Sequence, residues 1–148
     1  MTPGPCGYNE AMYRRRFVQA VWALPASLWA GAADSVRGIL ELGRGDQPVL
    51  RTASGERVLI EADEDSLKVL RDPRLAGREM EILGTRLGAS RFRAGPFYQK
   101  NILVIKNGKK YLVTYWCDVC SIRSYTPGQC ACCQEETELD LRPVDSPP

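Results

Sequence analysis

Five of the six cysteines lie between residues 117 and 133, in the segment CDVCSIRSYTPGQCACC. Four of them form two CxxC pairs separated by nine residues, which are Cys117, Cys120, Cys130 and Cys133. Each pair can direct two thiolates at one cation, and two such pairs are a common donor set for tetrahedral zinc, with Zn–S distances of about 2.3 Å. The spacing therefore predicts one metal site with these four ligands. Because four thiolates leave no open coordination position, we expect a structural site and assign no catalytic residue.

The remaining cysteine of the segment, Cys132, is left over from the two pairs. We expect it to be an alternate ligand or a free reactive thiol. Zn²⁺ is the expected ion, and iron in a four-thiolate site is the alternative; an oxidising compartment would instead favour disulfides and no metal. Two other functions stay open, a thiol redox protein that uses Cys117 and Cys120 and a metal carrier or sensor. The βαβ pattern that usually surrounds a redox CxxC is not found in this sequence.

The rest of the composition excludes most familiar active sites. The 148 residues contain no histidine, which rules out Ser-His and Cys-His pairs and histidine metal ligands. No Gly-rich phosphate loop, GxSxG motif or HExxH motif is present either. We therefore expect neither an ordinary hydrolase nor a nucleotide-dependent enzyme, and the length predicts one domain with a core of its own.

The start of the chain has the pattern of a secretory signal peptide. Residues 12–33 read MYRRRFVQAVWALPASLWAGAA, with three arginines, an apolar run over 17–30 and a small-residue A-x-A site at 30–32. The pattern predicts a leader over residues 1–33, cleavage after Ala32 or Ala33, and Met12 as the true start. A buried N-terminal helix is the alternative. The apolar run is too short to span a bilayer comfortably, so no membrane span is expected after cleavage.

The arginines also bear on the route of export. The segment RRRFVQ at 14–19 resembles the twin-arginine export motif, although Gln19 and Tyr13 depart from its usual residues. That resemblance implies export of a folded protein already loaded with its cofactor. We expect a periplasmic or extracellular protein. Three basic residues and one acidic residue precede Asp34, so the rest of the chain holds 17 of each and has no net charge that would favour nucleic acid or an anionic membrane.

The segments between residues 35 and 116 predict a small β-barrel. Short apolar or alternating runs separated by turn residues predict strands at 36–42, 48–52, 57–61, 78–87, 101–106 and 109–116. Residues 64–71 change to a helical period, with Asp63 or Asp65 as N-cap, and Asn107-Gly108 predicts a type I′ turn. Three strands, a helix and two more strands resemble the OB-fold, with an irregular β-sandwich as the alternative.

The predicted fold class is therefore mainly β: a small OB-like barrel with one short helix and a C-terminal hairpin that carries a zinc-knuckle-like cysteine cluster. A leader, an OB-like body and a hairpin running into YWCDVC at 115–120 also resemble a family of small exported bacterial proteins of uncharacterised function. That resemblance implies no known activity.

One stretch of the body has the composition of a ligand surface. Residues 86–110 contain no acidic residue and combine seven basic residues with three aromatics: Arg86, Arg91, Arg93, Lys100, Lys106, Lys109, Lys110, Phe92, Phe97 and Tyr98. An anionic ligand or a glycan could bind such a stretch. A solvated strand face balanced by acidic residues at 61–65 is the alternative that we favour, and we expect no nucleic acid.

The chain thus divides into a signal peptide at 1–33, a barrel at 34–116, a metal knuckle with a final strand at 117–142, and a disordered tail at 143–148. The expected function is an exported soluble binding or scaffold module with a structural zinc site.

Overall fold

The computed structural model describes residues 33–96 and 98–146, with only the backbone of Tyr98. The predicted signal peptide therefore lies outside the described residues except for Ala33, and so do Cys6 and Phe97. No helix within the described ranges is long and apolar enough to cross a membrane.

The body is a closed five-stranded barrel. Its strands are β1 (Asp34–Leu42), β2 (Pro48–Arg51), β3 (Arg57–Glu61), β4 (Glu79–Gly88) and β5 (Arg91–Ala94). The order is β1-β2-β3-β5-β4, and β4 pairs back to β1; every pairing is antiparallel except that of β3 with β5. Helix α1 (Glu64–Leu70) connects β3 to β4, as in the OB-fold arrangement. The predicted fold class is confirmed.

Two glycines lie where a long strand changes from one pairing partner to another. Strand β1 pairs with β4 over residues 34–39 and with β2 over 39–42, and Gly38 lies at this change. A Cβ atom there would lie 2.6 Å from the Arg51 carbonyl oxygen. Gly84 has the same role in β4, where a Cβ atom would overlap the Arg93 carbonyl oxygen. Close backbone approach therefore requires glycine at both bends.

The barrel interior and α1 form one hydrophobic core. Asp63 is the N-cap of α1 and accepts a 3.0 Å hydrogen bond from the Ser66 amide, as one of the two predicted caps. The helix turns Val69 and Leu70 inward. Fully buried partners come from most of the strands and from the loop after α1: Leu40, Leu50, Val58, Ile60, Leu75, Met80, Ile82 and Phe92.

A second group of strands extends the sheet beyond the barrel. Strands β6 (Ile102–Lys106) and β7 (Lys109–Cys117) form the predicted hairpin, and β6 pairs with residues 80–82 of β4. Asn107 and Gly108 have φ values of 53° and 73°, as the predicted type I′ turn requires. Strands β8 (Ile122–Ser124) and β9 (Glu138–Pro143) then pair with β7.

The last strands of the barrel differ from those predicted from the sequence. The predicted hairpin lies outside the barrel, which is closed instead by β5, a strand that was not predicted. A four-residue helix, α2 (Tyr98–Asn101), was also not predicted. The final strand was predicted at 138–142, and β9 extends one residue further, to Pro143, where the disordered tail was expected to begin. Beyond β9, the Val144 amide donates to the Lys110 carbonyl at 3.1 Å.

Candidate metal centre

The first cysteine pair forms the tip of a β-hairpin. Cys117 is the last residue of β7 and pairs with Ile122, the first residue of β8, so the chain turns within residues 118–121. Its side chain is only 2% exposed. The ladder thus fixes Cys117 in the sheet and leaves Cys120 on the turn.

A side chain from β8 anchors this hairpin to the rest of the sheet. Arg123 donates to the carboxylate of Asp140 on β9 and to the Thr114 hydroxyl on β7. Its guanidinium lies over the Trp116 ring, 5.0 Å from the centroid. Because β8 has only three residues, these contacts help to hold the first cysteine pair in place.

The second pair lies on a turn that resembles the first. A bridge joins Gln129 to Glu136, and the Cys130 amide donates to the Glu135 carbonyl at 2.8 Å. The Gln134 amide closes the turn on the Cys130 carbonyl at 2.9 Å. Both turns therefore have a first cysteine in a paired position and a second cysteine on the loop.

The residue after each pair has a left-handed backbone. Ser121 has φ 54° and Gln134 has φ 64°, although neither is glycine. Glycine is the usual residue at such positions, because a Cβ atom disfavours positive φ. The two turns share this conformation, so the absence of glycine does not prevent them from forming.

The four predicted ligands converge. The Sγ atoms of Cys117, Cys120, Cys130 and Cys133 all lie within 4.8 Å of one another, and those of Cys117 and Cys133 are 3.4 Å apart. Sulfurs placed 2.3 Å from a central ion at tetrahedral angles would be about 3.8 Å apart. None of the five described cysteines forms a disulfide. The donor set and its spacing thus fit one tetrahedral metal ion.

Backbone amides supply part of the electrostatic environment. The amides of Cys133 and Cys132 donate to the Cys130 sulfur, the latter at 3.5 Å, and lower the pKa of Cys130 to about 7. The Cys120 amide likewise lowers the pKa of Cys117, but burial and the neighbouring thiols outweigh this effect and the pKa rises. Such N–H···S contacts stabilise thiolates, the form that binds metal.

The fifth thiol lies at one corner of the group. Cys132 is exposed, and its amide donates to the Cys130 sulfur at 3.5 Å. The neighbouring thiols of Cys132 and Cys133, followed by burial, strongly raise the pKa of Cys120. Cys132 is therefore outside the set of four but adjacent to one member of it.

An ion-pair cluster, which the sequence did not predict, joins the barrel to the second cysteine turn. Arg74, after α1, binds the buried Asp72 carboxylate and donates to the Thr137 carbonyl at 2.9 Å. Thr137 in turn donates to the Gly128 carbonyl through its amide and its hydroxyl, at 3.0 and 2.7 Å. The Arg74 guanidinium also lies over the ring of Tyr115. No local pattern marks this cluster, because Arg74 meets Thr137 across 63 positions of the chain.

Three of the seven basic residues at 86–110 form ion pairs within the chain. Arg91 and Arg93 pair with Glu61, and Lys110 pairs with Glu81 at 2.9 Å. Phe92 is fully buried in the barrel core, so it cannot stack on a ligand. These contacts favour the interpretation of a balanced strand face.

Comparison of the chain with protein-family models, curated proteins and solved structures finds no match. The function of the chain is therefore inferred from the geometry of the cysteine group and from the fold that positions it.

Proposed function

We propose that this protein is an exported binding or scaffold module in which an OB-like barrel carries a structural zinc site formed by Cys117, Cys120, Cys130 and Cys133. The convergence of the four sulfurs within 4.8 Å carries the proposal. Zinc suits four thiolates in tetrahedral geometry and undergoes no redox change. Iron in a rubredoxin-like site is the alternative ion.

The surrounding segment explains why an ion would be structural. From Asp118 to Glu136 the only buried side chain is that of Cys130. A segment without an apolar core gains little stability from hydrophobic burial, so a cross-link must hold it in one conformation. An ion bound to both turns would supply that cross-link, because metal binding and folding are then one process.

Export is supported by the leader pattern at residues 12–33 and by the twin-arginine resemblance. The same pattern supports membership of the family of small exported bacterial proteins described above. Export of the folded protein would protect the site, because the ion would already cover the thiols when they meet an oxidising compartment. We therefore propose a periplasmic or extracellular location.

Native mass spectrometry of the protein purified from the periplasm or the medium tests these points together. We expect a chain that begins near Asp34, one zinc ion per chain and no disulfide. A metal-free chain with a Cys117–Cys120 disulfide would support the thiol redox alternative and contradict the structural site. A chain that retains residues 12–33 would contradict the export leader.

Hydrogen exchange before and after chelation tests the structural role. We expect chelation to increase amide exchange across residues 117–137 and to leave the barrel strands β1–β5 protected, since these have their own core. A Cys130→Ser variant should show the same local increase without chelator. Unchanged exchange at 117–137 after complete metal removal would contradict a structural ion.

A further inference from the structure

A pair of like charges flanks the turn of the β6–β7 hairpin. Lys106 and Lys109 lie directly opposite each other in the ladder, so their side chains leave the same face of the sheet. Both are exposed, and neither forms an ion pair within the described residues. Like charges placed directly opposite each other destabilise a hairpin. A local cost of this kind is expected where residues contribute to binding rather than to stability.

A groove lies beside Lys109, between β7 and the chain that follows β9. Its volume is about 590 Å³, and small-molecule sites have volumes of about 300–1,000 Å³. The Val144 amide donates to the Lys110 carbonyl at 3.1 Å, and the Ser146 amide donates to the Pro143 carbonyl at 3.0 Å. These hydrogen bonds fix the outer wall of the groove, so the groove exists without a ligand.

The groove combines a cationic end with an aromatic ring, an apolar side chain and two polar groups. Lys109 and the half-buried Tyr111 share one face of β7, because side chains two residues apart point to the same side of a strand. Val144 is 43% exposed and adds apolar surface. Asp145 and Ser146 complete the wall, and Asp145 forms no ion pair in the part of the chain that the structure describes.

These groups together favour one class of ligand. Asp145 would repel a highly charged anion such as a phosphate ester, and a purely apolar ligand would leave the lysines and Asp145 without partners. A sugar with one carboxylate satisfies every group. Its carboxylate can accept hydrogen bonds from the two lysines, its hydroxyls can donate to Asp145 and Ser146, and the C–H face of its ring can pack on Tyr111.

We propose that this groove binds an acidic sugar, whose carboxylate is held by Lys106 and Lys109. The site is separate from the proposed metal centre, because Lys109 and Cys117 are the first and last residues of β7. The proposal gives the binding module a ligand class and a location for that ligand, at the tip of the β6–β7 hairpin.

Isothermal titration calorimetry with digalacturonate and its dimethyl ester tests the role of the carboxylate. The ester keeps the rings and hydroxyls and removes the negative charge. We expect the acid to bind and the ester to bind about tenfold more weakly or not at all, because hydrogen bonds to the charged group are lost. Equal binding of the two compounds, or no binding of the acid, would overturn the proposal.

Three matched substitutions test the location. Lys106→Gln and Lys109→Gln should each weaken the binding of digalacturonate about tenfold. Lys100→Gln should leave binding unchanged, because Lys100 precedes β6 and lies at the opposite end of that strand from the turn. Equal effects of all three substitutions would refute this location. Without ligand, both hairpin variants should unfold at a higher urea concentration than the wild type, because the repulsion is removed; a loss of stability in both would show that the lysines are structural.

Asp145→Asn separates a sugar site from a site for a simple anion. This variant loses an acceptor for sugar hydroxyls, so it should bind digalacturonate more weakly than the wild type. A site that attracts only negative charge would instead bind more tightly once Asp145 is neutral. Inorganic phosphate is the comparison probe. Tighter binding of digalacturonate by Asp145→Asn, or tighter binding of phosphate than of digalacturonate by the wild type, would overturn the acidic sugar as ligand.

Discussion

The ion pair between Asp72 and Arg74 connects the barrel to the second cysteine turn, and its removal should lower the stability of the protein substantially. The Asp72 side chain is 2% exposed and receives hydrogen bonds from Arg74 Nε and Nη2 at 2.9–3.1 Å. A third guanidinium nitrogen binds the Thr137 carbonyl, at the base of the second cysteine turn. Arg74→Met would keep most of the apolar stem and remove all of these contacts.

The expected loss of stability lies between the values for exposed and for buried ion pairs. Breaking a fully buried pair costs about 3–5 kcal/mol, and an exposed pair contributes up to about 1 kcal/mol. Asp72 is buried, but the Arg74 side chain is 40% exposed, so in its absence water can donate some of the hydrogen bonds that the guanidinium donates to Asp72. We expect Arg74→Met to lower the free energy of unfolding at pH 7 by about 2–3 kcal/mol.

A double-mutant cycle with Asp72→Asn isolates the pair. Urea unfolding of the wild type, both single variants and the double variant should give a coupling energy above about 1 kcal/mol. Asp72→Asn/Arg74→Met should be more stable than Arg74→Met, because no buried charge is left unpaired. A coupling energy near zero would refute the claim that the pair is effectively buried.

The pH dependence of the same pair has a definite sign. Burial raises the pKa of Asp72, but the hydrogen bonds from Arg74 outweigh it and hold the folded pKa below the ordinary value of 3.8. The stability from Asp72 is therefore complete above that value and is lost as the pH falls through the folded pKa. In Arg74→Met the guanidinium hydrogen bonds are lost, and only the amide of residue 74 and the Tyr115 hydroxyl still oppose the effect of burial on the Asp72 pKa. The Asp72 pKa should therefore rise, and protonation of this carboxyl on acidification should destabilise Arg74→Met less than the wild type. The difference between each protein and its Asp72→Asn counterpart at each pH removes the effect of metal loss.

Further substitutions test local features of the fold by urea unfolding. Ser121→Gly and Gln134→Gly should each stabilise the metal-loaded protein by about 0.5–1 kcal/mol by relieving positive φ, and Ser121→Ala should not; a loss of stability in both glycine variants would contradict the left-handed turns. Gly84→Ala should destabilise by about 3 kcal/mol or more, whereas Gly88→Ala on the same strand, with open space around its Cβ, should cost under about 1 kcal/mol; equal effects would refute close packing at the bend.

The sequence by itself determined the features that depend on local geometry. The spacing of Cys117, Cys120, Cys130 and Cys133 was sufficient to predict that these four sulfurs lie close together, since two residues between cysteines allow both sulfurs to point at one place. The Asp63 cap and the Asn107-Gly108 turn were equally predictable, because each depends on contacts within four residues. The order of strands and helix likewise indicated the OB-like barrel before the strand pairing was known.

Only the tertiary structure decided the features that depend on distant contacts. Strand β5 alternates over only four residues, and its identity depends on pairing with β3 and β4, which are brought together by barrel closure. The same closure turns Phe92 into the core. Arg74 likewise donates to the Thr137 carbonyl across 63 positions of the chain. Sequence spacing cannot specify such contacts, because packing of the whole sheet determines which distant residues become neighbours.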